Sequence, residues 1–353
     1  MCARLGAVTG MGFTDLVREH FGVRWTAIVV IALLVANFGT AFSEFVGIGA
    51  AGALLHAPRV AAVVAAALIL WVLVVFGSYK FVERTFLIMS LAFLAYPVAA
   101  FLAHPAWGSV GRGFVVPQTP ASFEGIVVVM ALIGTTITPY MQLYLQSSVA
   151  EKGIRAEDYG YEKIDVVGGS LFGNFISATI ITAAAAALFV SGGANISTAA
   201  DAAKALEPVA GSLAETLFAL GLLGACLLAA PVLALTSAYS VAEALGLQKG
   251  VSEDFREAPV FMGVFTGMIV LAAGLALLPG IPFTSALLVI QIVNGLALPF
   301  VLISLLRLTN DRDLMGARAN TVSYNVIGVI TVTIVISLSV ILVALTVGRP
   351  FFG

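Results

Sequence analysis

Charge is scarce in this 353-residue chain: Asp, Glu, Lys and Arg make up 10 % of it, against 60 % hydrophobic residues. A soluble domain of that length could not hide so much apolar surface behind so few charges. The mean hydropathy of +1.07 therefore places the chain in the membrane class. Cysteine is nearly missing. Cys2 and Cys226 are too far apart to form a disulfide framework or a metal motif, and Cys226, inside an apolar run, reads as a small packing residue. The three histidines, His20, His56 and His104, fall at or outside the ends of apolar runs, so none serves as a proton relay at mid-membrane. A net charge of −2 excludes a strongly basic surface and a nucleic-acid partner. The first twenty residues have no apolar core of the signal-peptide type. No HExxH, GxSxG or P-loop pattern occurs, which argues against an enzyme and against a resident cofactor.

What the chain does have is long apolar runs. Backbone groups in lipid must pair internally, which leaves helices or a closed barrel. The runs do not alternate with period two, so helices are selected. A crossing takes roughly 20 apolar residues, which gives nine spans at 26–56, 59–77, 81–103, 124–148, 163–191, 213–245, 260–279, 284–307 and 319–348. None of the polar connectors is long enough for a soluble domain, so residues 1–353 form one transmembrane unit. Basic residues test the count. With residues 1–25 in the cytoplasm, that side holds Arg4, Arg18, Arg24, Lys80, Arg84, Lys152, Arg155, Lys163, Lys249, Arg256, Arg307, Arg312 and Arg318. The other side holds only Arg59, Arg112, Lys204 and Arg349, so all 17 Lys and Arg divide thirteen to four. Trp25 and Trp107 lie near the expected interfaces.

One span carries a polar interruption, Gly134-Thr135-Thr136-Ile137-Thr138-Pro139-Tyr140-Met141-Gln142, near its middle. Pro139 donates no backbone hydrogen bond and clashes with the preceding turn. Lipid-facing backbone could not tolerate this, so the segment should face protein or a water-filled cavity, as discontinuous helices do in secondary transporters. A proline kink whose threonines bond back to carbonyls in a packed interface is the other reading. Glu44 sits mid-span, where an ionisable group costs at least about 2–3 kcal/mol on insertion scales. It belongs either to a pathway or, protonated, to a local hydrogen bond. Gln291 and Asn294 form another mid-membrane polar pair, ahead of Pro299, and either could simply bridge helices. Asn174, among small residues, reads as close helix packing.

These residues fall in an order that resembles the NRAMP-type divalent-metal transporters over essentially the whole chain. ARLGAVTG followed by DLVRE is similar to the stretch after that family's second helix, and the Glu44 helix to its third. TPYMQLYLQS resembles the sixth-helix signature and LFALGLLGACLLAAP the eighth helix. QIVNGLALPFVLISLLRLTNDRDLMG resembles the tenth helix and its loop. The resemblance implies an all-α integral membrane protein of the LeuT-like inverted-repeat fold, holding that family's helices three to eleven, with residues 124–307 as the second five-helix repeat. It also implies that residues 1–25 follow a second helix missing here, as where a gene's start is placed too late or a version is shortened. Nothing in the chain matches the family's Asp-Pro-Gly-Asn metal site.

The departures carry their own implication. The sixth-helix methionine, a soft sulfur ligand, aligns with Thr138. The two signature histidines align with or near Tyr140 and Gln146, and the third-helix proton-pathway aspartate aligns with Ala41, while the nearby glutamate stays as Glu44. A hard oxygen favours Mg²⁺, Mn²⁺ or Ca²⁺, and Mg²⁺ usually keeps several waters. The chain thus most resembles the NRAMP-related magnesium transporters, which implies alternating access in a cell membrane for Mg²⁺ or Mn²⁺ as transported substrate, without proton coupling. The expected ion site comprises the Thr135 carbonyl with the Thr138 and Gln291 side chains, then Gln142 and Glu44. A proton-coupled Mn²⁺/Fe²⁺ symporter and an inactive membrane scaffold are the alternatives.

Overall fold

The computed structural model describes residues 1–77, 81, 84, 88, 94–116, 122–190, 199–204, 211, 214–278 and 283–352. Among them every regular element is helical: α1 (Cys2–Thr9), α2 (Phe13–Leu54), α3 (Arg59–Phe76), α4 (Ala95–Leu102), α5 (Trp107–Val115), α6 (Phe123–Thr136), α7 (Pro139–Glu151), α8 (Tyr159–Val190), α9 (Ala199–Lys204), α10 (Ala214–Leu245), α11 (Pro259–Ala276), α12 (Phe283–Asn310), α13 (Arg312–Met315) and α14 (Val322–Phe352). Eight stretches among the described residues are long and apolar enough to cross a bilayer, α6 and α7 together making one of them. They match eight of the nine expected spans. The ninth, 81–103, lies partly outside the described residues, which include its last part as α4.

α2 is the axis of the bundle. It packs most extensively against α10, and further against α12, α11 and α3. Its 42 residues exceed what a crossing needs, because the helix is divided at Gly22, whose φ of 78° and ψ of 172° no residue with a Cβ adopts easily. The segment ahead of the Gly22 division packs into the bundle, which its sequence did not announce. Leu5, Phe13, Leu16 and Val17 are fully buried, in one cluster with Leu143, Val301, Leu305 and Leu308.

Lipid tails are as apolar as leucine, so close backbone approach holds membrane helices together more than burial does. α6 and α12 show this. A Cβ added at Gly134 would lie 2.0 Å from the Gln291 carbonyl oxygen and 2.8 Å from the Gly295 nitrogen. The outer faces of α3, α8 and α14 present Leu68, Ile69, Leu171, Phe175, Ile327 and Ile330 outward, as lipid requires. Asn174 corrects the sequence reading. It lies on this exposed face of α8, and its amide donates to the Ser170 carbonyl of its own helix at 2.8 Å, with nothing among the described residues packed on the neighbouring Gly173. His56 and His104 sit just past helix ends at φ 62° and 44°, away from the interior as expected.

Candidate functional site

The polar interruption is a true break, and a short one. α6 ends at Thr136. Ile137, at φ −116° and ψ 65°, donates its N–H to the Ile133 carbonyl at 2.9 Å and leaves the helix. Thr138 is extended (φ −71°, ψ 135°), and α7 starts at Pro139, where a missing N–H costs nothing. Two residues therefore separate the half-helices, so Tyr140 and Gln142 are helical rather than part of an open segment. Pro139 also explains why the Thr135 carbonyl is free of its helical donor, since residue 139 has no N–H to give.

Four helices bring polar groups to the break. Thr138, just ahead of α7, is buried, and Tyr140 of α7 interacts electrostatically with Glu44 of α2. Glu44 in turn faces the Cys226 thiol of α10. Cys226 is small for a packing reason as well: a Cβ on Gly47 would come within 2.5 Å of its sulfur. From α12, the Gln291 backbone abuts Gly134, one residue before Thr135. The structure thus brings Tyr140 near Glu44 and Gly134 against Gln291, while Thr135 itself lies exposed. The Gln142 Oε1 is buried with no hydrogen-bond partner, an acceptor available to a cation or to a water that one carries.

The neighbouring amides form a directed ladder. The Thr40 hydroxyl donates to the Ala36 carbonyl at 2.8 Å, so its oxygen accepts from Asn294 Nδ2 at 2.9 Å. The same NH₂ group donates to Gln291 Oε1 at 3.1 Å. Asn294 therefore bridges α12 to α2, one of the roles its sequence position allowed, and it orients Gln291. Asn37 makes a parallel link to Ser237 at 3.1 Å, and Ser237 is committed to the Leu233 carbonyl at 2.9 Å. The outer amide oxygens of Asn37 and Asn294 are buried and unpartnered. Gln146, near one expected histidine position, instead donates to the Met11 carbonyl at 3.2 Å. Among the described residues no three His, Cys, Asp or Glu side chains gather as a metal-binding group. The donors at the break are hydroxyl, amide and carbonyl oxygens with the single carboxylate of Glu44.

Sequence reasoning missed a second polar centre at the cytoplasmic ends of the same helices. Glu243, 1 % exposed near the end of α10, accepts from the Thr14 N–H at 3.0 Å and the Thr14 hydroxyl at 2.7 Å. It also accepts from the Ser147 hydroxyl at 2.7 Å and lies 3.3 Å from the Lys249 ammonium. Lys249 pairs with Asp15 as well, and Arg18 donates to the Glu243 carbonyl oxygen at 2.7 Å. The available signal was a lone glutamate still inside a long apolar run.

Eight apolar stretches among the described residues, one of them broken at a proline, define a multi-pass helical membrane protein. Residues 1–345 match the family described as natural resistance-associated macrophage protein-like, and the chain belongs to that Nramp family. It is 26 % identical over 368 residues to the divalent metal cation transporter MntH of Pectobacterium carotovorum, covering 97 % of this chain and 82 % of that protein. It is 26 % identical over 358 residues to MntH of Yersinia pestis, covering 96 % and 81 %. Among solved structures, it superposes on the manganese transporter of Eremococcus coleocola with a TM-score of 0.70 at 22 % identity, over 100 % of this chain and 78 % of that one. The same transporter bound to an aromatic bis-isothiourea substituted compound gives a TM-score of 0.70 at 22 %.

Proposed function

We propose that this protein transports a hard divalent cation, Mg²⁺ or Mn²⁺, across the cell membrane by alternating access at the α6–α7 break, without proton coupling. The carrying observation is the donor set at the break: the buried Thr138 hydroxyl, the Thr135 carbonyl freed by Pro139 and the unpartnered Gln142 Oε1. Gln291 completes the wall from α12, and Glu44 supplies the one negative charge. Oxygen donors suit Mg²⁺ and Mn²⁺, whereas sulfur selects softer ions. Neutral oxygens also suit an ion that keeps its waters, because a hydrated cation presents hydrogens to its surroundings. The relatives named for divalent metal and manganese transport support the class of substrate.

One observation favours a second reading. The Cys226 thiol beside Glu44 adds a soft group next to a titratable one, as a proton-coupled Mn²⁺/Fe²⁺ symporter would use.

Purified protein reconstituted into vesicles, with a Mg²⁺ dye and a pH dye inside, separates the two. Saturable Mg²⁺ or Mn²⁺ uptake with a constant internal pH is expected. Acidification that tracks metal uptake would favour the symporter, and Fe²⁺ or Cd²⁺ uptake with no Mg²⁺ or Mn²⁺ flux would sink the first reading.

A further inference from the structure

α2, α7 and α10 meet twice. At the break they contribute Glu44, Thr138 with Tyr140, and Cys226. At their cytoplasmic ends they contribute Thr14, Ser147 and Glu243. We propose that Glu243 is a positioning residue for transport. Its carboxylate pins the cytoplasmic end of the half-helix α7 to the start of α2, and thereby fixes where the break stands relative to Glu44.

The carboxylate is built for this. One oxygen, Oε2, takes both Thr14 donors, and the other takes the Ser147 hydroxyl and faces Lys249. The Thr14 N–H belongs to the first turn of α2, where backbone donors have no intrahelical partner and a negative charge is favoured. Gly12, the residue at which α2 begins its turn, leaves room for the contact: a Cβ there would lie 1.8 Å from Glu243 Oε1. Only one of the four donors is charged, and Lys249 shares itself with Asp15. The remaining donors are neutral groups on the two helices being joined.

Further contacts hold α7 in place. Gln146 reaches the Met11 carbonyl on the α2 side. Glu151 accepts from the Tyr239 hydroxyl of α10, and from the Val251 N–H at 2.9 Å. Glu243 joins α2 and α7 through a single side chain. Nine residues of α7 separate Ser147 from Thr138, which at 1.5 Å per residue is about 13 Å. A tilt of about 10° about the pin therefore moves the break by about 2 Å, the scale on which a coordinating oxygen is gained or lost.

Hydrogen–deuterium exchange of the purified protein tests the pin without reference to the ion carried. In Glu243→Gln, protection of residues 139–151 and 13–18 is expected to fall at least fivefold, while α11 (259–276) is unchanged. Ser147→Ala, which cuts only the α7 tie, should loosen 139–151 and leave 13–18 as before. That variant also carries the test if the Gln variant fails to accumulate. In vesicles both variants should alter the maximal flux at least threefold with KM held within twofold. Parallel loss of protection in α11, unchanged exchange in 139–151, or a shift in KM alone would overturn the assignment. Because exchange needs no flux, failure of the Mg²⁺ or Mn²⁺ reading leaves this result separately readable.

Discussion

Replacing Thr138 by methionine is expected to move the ion preference from Mg²⁺ toward Cd²⁺ by about tenfold, equivalent to about 1.4 kcal/mol of differential binding. Thr138 is the extended residue between the half-helices, and its side chain is buried at the break rather than turned to lipid. A thioether in that place exchanges a hard donor for a soft, polarizable one. The longer side chain must also fit a buried position, so some loss of stability, about 1–3 kcal/mol, should accompany the change. Thr138→Ser keeps the oxygen and is expected to keep the preference. Competition between Mg²⁺ and Cd²⁺ in vesicle uptake measures both variants. An unaltered ratio in the methionine variant would place the ion's ligands elsewhere.

Gly134→Ala should be the most damaging small substitution in the bundle. The added carbon would meet the Gln291 carbonyl oxygen at 2.0 Å and the Gly295 nitrogen at 2.8 Å, both of them backbone and unable to rotate away. α6 and α12 must then separate along their contact, at a cost of about 1–3 kcal/mol or more. Gly295→Ala is the informative partner. There the nearest atom is the Met130 methyl at 2.6 Å, the end of a flexible side chain, although the Met130 carbonyl stands at 3.1 Å. The second variant should therefore be clearly milder. Thermal stability of the two in detergent, followed by size-exclusion chromatography, decides it, and equal losses would show that the interface opens freely.

Eight of the crossings and the break at Pro139 were legible in the sequence, because each answers to a rule lipid imposes: a length, a missing backbone donor. What stayed hidden depends on which way a helix faces. A helix that is apolar all round gives no moment to separate its packed side from its lipid side, so Asn174 reads as packing yet lies outward. The Cys226–Glu44 pairing joins helices about 180 residues apart, and nothing local announces it. Glu243 reads as the ragged end of a span until Thr14 and Ser147 are seen around it. The burial of residues 2–7 and 12–17 escaped for a related reason, since the four apolar side chains Leu5, Phe13, Leu16 and Val17, spread over thirteen positions, form no apolar run that would announce it.

The two-residue break also has an electrical direction. α6 points its carbonyl end at the gap and α7 its amide end, so about half a negative elementary charge faces about half a positive one across Ile137 and Thr138. A cation entering the gap is drawn to the Thr135 side and pushed from the Tyr140 side. Its waters keep that preference, because they turn their hydrogens outward, toward the carbonyl end of α6. A bare ion and a hydrated one would therefore be held on the same side of the gap, the hydrated one farther from the carbonyls by the thickness of a water.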